Sequence, residues 1–266
     1  MTTKIVIHAG FHKTGTTSVQ AMLRANAEHL SPHIRVFLKD DFQDLTVTAR
    51  NFSIKPTEKT LRKVSKATAA FFSTLDQTDP RPILMSSEDL SGHMPGRHGL
   101  ECYDSSGLVM KAISDAAVKQ FGPDVDLAFF FSTRGRASWL RSTWWQNLRS
   151  TRLTQDLAAY TAQFDTARYL DDILQEIAAD VAPFKVVSEP LEQSSQKPLG
   201  PLSPLLDLVA VKDLDHEKLQ SLPPENVQPD AGIDRVFLAL NQSALPDKDI
   251  QDAKRSIRIM ARKLAT

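Results

Sequence analysis

A short segment with two glycines, a lysine and several hydroxyl side chains lies between a predicted strand and a predicted helix. It covers residues 10–18, GFHKTGTTS. Residues 4–9 form a short apolar, β-branched run, which predicts a buried strand, and the spacing of apolar residues over 16–30 predicts a helix. At such a junction, successive backbone N–H groups and the helix N-terminus converge on an anion. The segment therefore predicts a loop that binds phosphate or sulfate.

The position of the lysine separates this loop from that of a typical nucleotide kinase. Gly10 and Gly15 have the spacing that opens a Walker A loop, but Thr16 stands where that loop has its lysine. The lysine comes earlier, at Lys13. We expect a lysine inside the loop to lie nearer the leaving oxygen of a transferred group. The plainer interpretation is a strand-to-helix turn with threonine caps.

A second candidate anion site follows the strongest strand prediction of the chain. Arg134 directly follows residues 126–133, DLAFFFST, and Ser142 lies eight residues further on in a helix predicted over 137–150. A guanidinium group matches the geometry of a phosphate, and a serine on the second helical turn can face the same anion. A surface arginine and a solvated serine on a tryptophan-rich helix are the alternative.

These two motifs resemble those of the sulfotransferase family. Residues 12–18, HKTGTTS, resemble the family's 5′-phosphosulfate loop, in which lysine, a small residue, glycine and two threonines recur; all five positions match. The spacing from Arg134 to Ser142 resembles the family's 3′-phosphate signature. The resemblance covers about residues 4–150 and is nearest to the bacterial carbohydrate-type or uncharacterised branch. Two departures are Ser18, where hormone and phenol sulfotransferases usually have tryptophan, and Gly135-Arg136, where the family usually has Asp or Asn followed by Pro.

The resemblance implies an enzyme that moves a sulfuryl group from 3′-phosphoadenosine 5′-phosphosulfate to a hydroxyl or amine of a small-molecule or saccharide acceptor. It assigns the phosphosulfate to Lys13, Thr14, Gly15, Thr16, Thr17 and Ser18. Arg134 and Ser142 would hold the 3′-phosphate, and Lys13 would also be catalytic.

Transfer to a hydroxyl needs a proton acceptor. Glu88 follows the predicted strand over 83–85 and its serines, at the sheet edge where α/β active sites lie. We favour it over His12, which adjoins the loop, and over His93 and His98. A carboxylate at a helix start, placed there by the helix dipole, is the structural alternative for Glu88.

Strands and helices alternate along the chain, which favours an α/β fold with a mainly parallel sheet covered by helices on both faces. Together with the loop, this order predicts a P-loop NTPase-like architecture. We predict one domain over residues 1–266, with a less regular part from about 183, since residues 183–229 carry eight of the fifteen prolines.

Composition limits the class of protein further. Lys plus Arg and Asp plus Glu are each 32, which argues against a nucleic-acid partner. No apolar run approaches the roughly 20 residues of a membrane span. The single cysteine, Cys102, and the absence of a signal-peptide pattern indicate a cytoplasmic protein. The spacing of His93, His98 and Cys102 matches no standard metal cluster, so no metal is expected.

Two other functions stay open at this point. One is a P-loop kinase or NTPase, with residues 86–89, SSED, as a metal-binding strand end. The other is a non-catalytic nucleotide- or saccharide-binding module. Residues 91–107 and 190–229 carry no pattern that identifies an acceptor.

Overall fold

A computed structural model describes residues 2–211, 213–223 and 232–264 of the chain. In these residues five parallel strands form one sheet, in the order β2-β3-β1-β4-β5, and helices flank it. The strands are β1 (Lys4–His8), β2 (Arg35–Leu38), β3 (Ile83–Ser86), β4 (Asp126–Thr133) and β5 (Lys185–Pro190). The predicted α/β class is confirmed, and the sheet is parallel throughout.

Twelve α-helices connect or follow the strands in the described residues. They are α1 (Thr16–Ala25), α2 (Ala27–Leu30), α3 (Gln43–Ile54), α4 (Glu58–Phe72), α5 (Ser106–Phe121), α6 (Arg136–Ser150), α7 (Leu157–Gln163), α8 (Leu170–Asp180), α9 (Leu191–Ser194), α10 (Ser203–Val209), α11 (Ile233–Gln242) and α12 (Asp247–Leu264).

The central position of β1 follows from its composition. Ile5, Val6 and Ile7 are fully buried, as the interior strand of a parallel sheet requires. Val6 pairs in register with Leu84 of β3 and with Ala128 of β4. The carboxyl ends of β3, β1 and β4 therefore meet at one edge of the sheet, and the loop after β1 lies between the other two.

One apolar cluster holds α1 against the sheet. Val19, Met22 and Leu23 of α1 pack in a core with Val6 of β1 and Leu205 of α10. Burying a side chain of this kind contributes about 1.5–3 kcal/mol. The packing fixes where α1 begins and so fixes the loop that precedes it.

The described residues form two compact units. The first comprises 2–135 and 168–223 and contains the whole sheet; the second comprises 136–167 and 232–264 and contains α6, α7, α11 and α12. Within the second unit, Trp145 stacks on Phe237 with ring centroids 5.4 Å apart. The buried ammonium of Lys254 donates to the carbonyls of Leu148 and Thr151.

The single domain over residues 1–266 stays a prediction, and residues 1, 212, 224–231 and 265–266 lie outside the described ones. The part from about 183 contains β5 and two short helices before α11 and α12. In the portion of the chain that the structure covers, no helix combines the length and apolarity that a membrane crossing demands.

Candidate functional site

The loop after β1 turns through three residues with left-handed backbone geometry. The φ angles are 48° at Gly10, 69° at Lys13 and 99° at Gly15, which is the N-cap of α1. A Cβ atom on Gly10 would lie 2.8 Å from Thr16 Oγ1 and 3.1 Å from His8 Nε2. Only glycine fits there, because it tolerates both the angle and the close approach. The two glycines thus let the loop curl tightly over the start of α1.

The hydroxyl of Thr16 lies inside this curl without a hydrogen-bond partner among the described residues. The residue is 3% exposed. A buried polar group left unpaired costs about 1–3 kcal/mol, so most such groups in proteins are paired. By contrast, the nearby Thr14 hydroxyl donates to the carbonyl of Phe11 at 2.6 Å. The loop therefore holds one hydroxyl that bonds within the loop and one buried hydroxyl without a partner among the described residues.

The remaining predicted loop residues are more accessible. Lys13, Gly15 and Ser18 are partly buried, and Thr17 is exposed. All of them lie around the N-terminus of α1, where the helix dipole favours an anion.

Arg134 follows β4, the strand that pairs with β1, and it reaches the same loop. Its Nη1 donates to the main-chain carbonyl of Lys13 at 3.2 Å. The backbone N–H of the next residue, Gly135, donates to Glu192 Oε1 at 3.2 Å. Two motifs predicted independently are thus in contact at the sheet edge. Ser142 lies on α6 in the second unit and is partly exposed.

Glu88 opens a 3₁₀ turn, Glu88–Ser91, directly after β3. β3 pairs in parallel with β1, so Glu88 lies at the same edge of the sheet as the loop after β1. The Glu88 carboxylate accepts a hydrogen bond from Gln20 Nε2 at 3.0 Å. Gln20 lies on α1 and is itself buried, so Glu88 is held beside the helix that the loop opens.

His12 belongs to a hydrogen-bonded group that the sequence did not predict. The Tyr103 hydroxyl lies 3.0 Å from the His12 backbone nitrogen, whose N–H it accepts, and 3.1 Å from His12 Nδ1. His12 Nε2 lies 3.5 Å from Asp89 Oδ1. A hydroxyl has one proton, so the Tyr103 hydroxyl can donate it to Nδ1 while accepting the backbone N–H. In that arrangement the ring proton of a neutral His12 is on Nε2, facing Asp89.

Asp89 is 5% exposed and surrounded by cationic partners. It forms ion pairs with Lys39 and with Arg50, whose Nη1 lies 3.8 Å from Oδ2. Burial alone would raise the pKa of Asp89, but the hydrogen bonds and charges of His12 and Lys39 hold this pKa well below its usual range. Asp89 is thus a fixed anion that orients His12.

His8 is the last residue of β1, the strand that leads into the loop. Its Nδ1 lies 2.9 Å from Ser86 Oγ and its Nε2 lies 3.4 Å from Ser132 Oγ, so one imidazole links the ends of β3, β1 and β4. Burial lowers the pKa of His8 to about 3, so the ring is neutral. No sequence pattern predicts this role, since one histidine at a strand end is compatible with many environments. Asp89 stood in a motif considered only for metal binding, and Tyr103 stood in a loop without a readable pattern.

No family model, curated protein or solved structure matches the chain. Among residues 2–211, 213–223 and 232–264, no group of three or more His, Cys, Asp or Glu side chains could hold a metal ion.

Proposed function

We propose that the protein is a sulfotransferase that moves a sulfuryl group from 3′-phosphoadenosine 5′-phosphosulfate to a hydroxyl or amine of an acceptor, with a saccharide as the acceptor class that the resemblance implies. The observation that carries this proposal is the Thr16 hydroxyl. It is buried, has no described partner and lies inside a glycine-shaped loop next to Lys13. In the proposal, a phosphosulfate oxygen accepts a hydrogen bond from this hydroxyl.

The contact between Arg134 and the Lys13 carbonyl supports the second half of the assignment. Two cationic side chains at one helix start attract a ligand that carries several negative charges. In the proposal, Arg134 binds the 3′-phosphate, and residues 13–18 bind the phosphosulfate.

The donor, when bound, supplies an activated sulfuryl group. The chain would position it with the N–H groups and hydroxyls of residues 14–18 and would stabilise charge on the leaving oxygen with Lys13. Glu88, held by Gln20 beside α1, is the proposed proton acceptor. His12 is the second candidate, because Asp89 and Tyr103 fix its ring.

A kinase or NTPase is less well supported than sulfuryl transfer. That alternative needs the strand end at residues 86–89 to attract a metal cation. Asp89, the buried carboxylate of this segment, is already paired with Lys39 and Arg50 and faces His12. These cationic partners disfavour a metal at that carboxylate.

The proposal is tested by calorimetry with adenosine 3′,5′-bisphosphate, AMP and ATP, each with and without Mg²⁺. We expect the bisphosphate to bind more tightly than either of the other two, without dependence on the metal. Incubation with the sulfuryl donor and an acceptor panel should then release the bisphosphate. Equal affinity for AMP and the bisphosphate would overturn the proposal, and tighter, Mg²⁺-dependent binding of ATP would favour the kinase.

A further inference from the structure

The C-terminal half of α12, in the second compact unit, carries apolar side chains on its outward side. Ile250 is fully buried and defines the inward side of the helix. Ile259 comes nine residues later, so at about 100° per residue it lies on the opposite side. Ile259 is 49% exposed, and the neighbouring Met260 is 56% exposed. Two adjacent large apolar side chains are therefore left uncovered at this part of the helix.

The charges around this pair distinguish it from the isolated apolar residues that are common on protein surfaces. Arg255 lies four residues before Ile259, and Arg258 directly precedes it, so both guanidinium groups are within about one helical turn of Ile259. Both arginines are exposed. The ion pair that α12 forms with Arg152 uses Asp247, at the other end of the helix.

The sequence makes this half of α12 basic throughout. Residues 253–264, AKRSIRIMARKL, contain five basic residues and no acidic one, whereas the acidic residues of the helix all lie within 247–252. Lys254 takes no part in the surface, because it is buried and donates to carbonyl groups of the second unit. Arg255 and Arg258 therefore belong to a helix segment that has no negative charge of its own.

A membrane surface that contains anionic phospholipid matches this combination. On amphipathic helices that lie in the headgroup region, cations contact phosphate groups and apolar side chains insert among the lipids. Nucleic acid offers the same negative charge but leaves Ile259 without a partner, and residues 253–264 contain no aromatic side chain that could stack on a base. A symmetric contact between two copies of the helix would bring two positive faces together.

We infer that the basic face of α12, formed by Arg255, Arg258, Ile259 and Met260, binds the surface of membranes that contain anionic phospholipid. Binding is peripheral and reversible, because two apolar side chains and a few charges hold a protein far less firmly than a spanning helix does. Salt should weaken it, since exposed charges are screened. The inference does not depend on the proposed sulfuryl transfer, because none of these four residues belongs to the candidate site.

Cosedimentation of the full chain with vesicles measures this binding. The vesicles are phosphatidylcholine alone, or phosphatidylcholine with about 30% phosphatidylserine, whose anionic headgroup attracts basic segments. We expect the protein to bind the anionic vesicles at least about fivefold more strongly than the neutral ones at low salt. Raising the NaCl concentration to about 0.5 M should remove most of the difference.

Two changes separate the effect of charge from that of insertion. Arg255→Gln combined with Arg258→Gln should weaken binding to the anionic vesicles about tenfold or more, since each basic residue near the surface contributes. Ile259→Ser leaves the charge unchanged and should weaken this binding about threefold, because an apolar side chain no longer inserts.

Matched controls lie at exposed positions of helices in the first unit. Lys63→Gln combined with Lys66→Gln, on α4, removes the same charge at the same spacing. Leu108→Ser, on α5, removes a side chain that is about as exposed as Ile259. Both controls should bind vesicles as the wild type does. Circular dichroism checks the fold, and Met260→Ser replaces Ile259→Ser if that variant does not fold.

Equal binding to neutral and anionic vesicles, or an equal loss in the α4 control, would overturn the lipid-binding face. If Ile259→Ser binds vesicles as the wild type does, and duplex DNA binds more tightly than the vesicles, the face is a nucleic-acid contact instead. Calorimetry with adenosine 3′,5′-bisphosphate on the same variants separates this inference from the proposed function, because loss of vesicle binding should leave the nucleotide affinity unchanged.

Discussion

The guanidinium of Arg134 donates to the main-chain carbonyl of Lys13 at 3.2 Å, although 121 residues separate the two in the chain. The contact exists because β4 lies next to β1 in the sheet, so residues that follow the two strands meet at one edge. It ties the main chain of the loop over residues 10–15 to Arg134. A ligand that contacts both side chains therefore meets two positive charges at this edge of the sheet.

The first prediction concerns Arg134. Arg134→Gln should weaken the binding of adenosine 3′,5′-bisphosphate by about 10-fold or more, since a hydrogen bond to a charged group contributes about 1.5–3 kcal/mol. Affinity for AMP, which lacks the 3′-phosphate, should change much less. Calorimetry with both nucleotides measures the difference, and Arg62→Gln, an exposed residue of α4, is the matched control. Equal losses for AMP and the bisphosphate would contradict a role on the 3′-phosphate.

The second prediction separates binding from stability at Thr16. Thr16→Val keeps the shape and removes a buried hydroxyl that has no described partner, so the free protein should become more stable by about 1 kcal/mol. The same variant should bind the bisphosphate less tightly, because the 5′-phosphate loses a donor. Urea unfolding and calorimetry measure the two effects. Thr17→Val, at an exposed neighbour, should change the stability little, and a Thr16→Val protein that loses stability would indicate an internal partner for the hydroxyl.

The elements that sequence patterns predicted best are those whose signal is local. β4 has the predicted bounds, Asp126–Thr133, because a long apolar run in the middle of a sheet is buried on both faces. The helix predicted over 16–30 is instead divided at Asn26 into α1, which ends at Ala25, and α2. Asn26 Nδ2 there donates to the carbonyl of Met22 and to that of Gln220, which is distant in sequence. Periodicity contains no information about such a contact.

α3, Gln43–Ile54, was not predicted at all. Its sequence, QDLTVTARNFSI, contains several β-branched residues of low helix propensity. The helix exists because Leu45, Ala49 and Phe52 are buried on one face. Tertiary packing therefore outweighs propensity here.

The same distinction between local and long-range signals applies to the residues of the candidate site. Residues 13–18 are contiguous, so their grouping could be read directly from the sequence. The contacts of His12 with Asp89 and Tyr103 depend on the path of the chain between β3 and α5. No spacing rule specifies that path, which is why two of these three residues were not among the predicted site residues.

The third prediction uses the backbone of Lys13. A residue with a side chain in left-handed geometry costs about 1–2 kcal/mol, and Lys13 has a φ of 69°. Lys13→Gly should therefore be more stable than Lys13→Ala, by about 1 kcal/mol, while both variants lose transfer. The loss should appear mainly in kcat, because Lys13 is proposed to act on charge that develops on the leaving oxygen.

The control for Lys13 is Lys63, an exposed residue inside α4. At Lys63 the order of stability should reverse: the Lys63→Gly variant should be less stable than the Lys63→Ala variant by about 1 kcal/mol. Denaturant midpoints of the four variants measure both comparisons. A Lys13→Ala variant that loses donor affinity but keeps its turnover at saturation would make Lys13 a binding residue only.

The fourth prediction is a pH dependence that comes from His8. Burial lowers the pKa of His8 in the folded protein to about 3, from about 6.5 for an exposed histidine, so the folded protein favours the neutral ring. The unfolded chain then binds more protons between these values. The contribution of His8 to the free energy of unfolding is complete above about pH 6.5. It should decrease as the pH falls, by about 3 kcal/mol at pH 4.

Unfolding by urea at several pH values, with wild type and His8→Asn compared, isolates this contribution from that of the carboxylates. The asparagine variant should lose less stability between pH 6.5 and 4 than the wild type. His29→Asn, at an exposed position of α2, should behave like the wild type. Parallel stability profiles for His8→Asn and wild type would show that His8 does not cause the effect.

The last prediction concerns the proton acceptor. The Glu88 carboxylate accepts a hydrogen bond from Gln20 Nε2 at 3.0 Å, beside α1, which begins after the loop over residues 10–15. Glu88→Gln keeps the shape and removes the base, so transfer to a hydroxyl should slow by about 100-fold or more. Bisphosphate binding should be little changed, because Glu88 contributes no positive charge to the anion site. Steady-state kinetics measure the transfer rate, and calorimetry measures bisphosphate affinity. The control is Glu28→Gln, which changes an exposed carboxylate of α2. If Glu88→Gln keeps near-normal activity while His12→Gln loses it, the base is His12, oriented by Asp89 across the 3.5 Å between Nε2 and Oδ1.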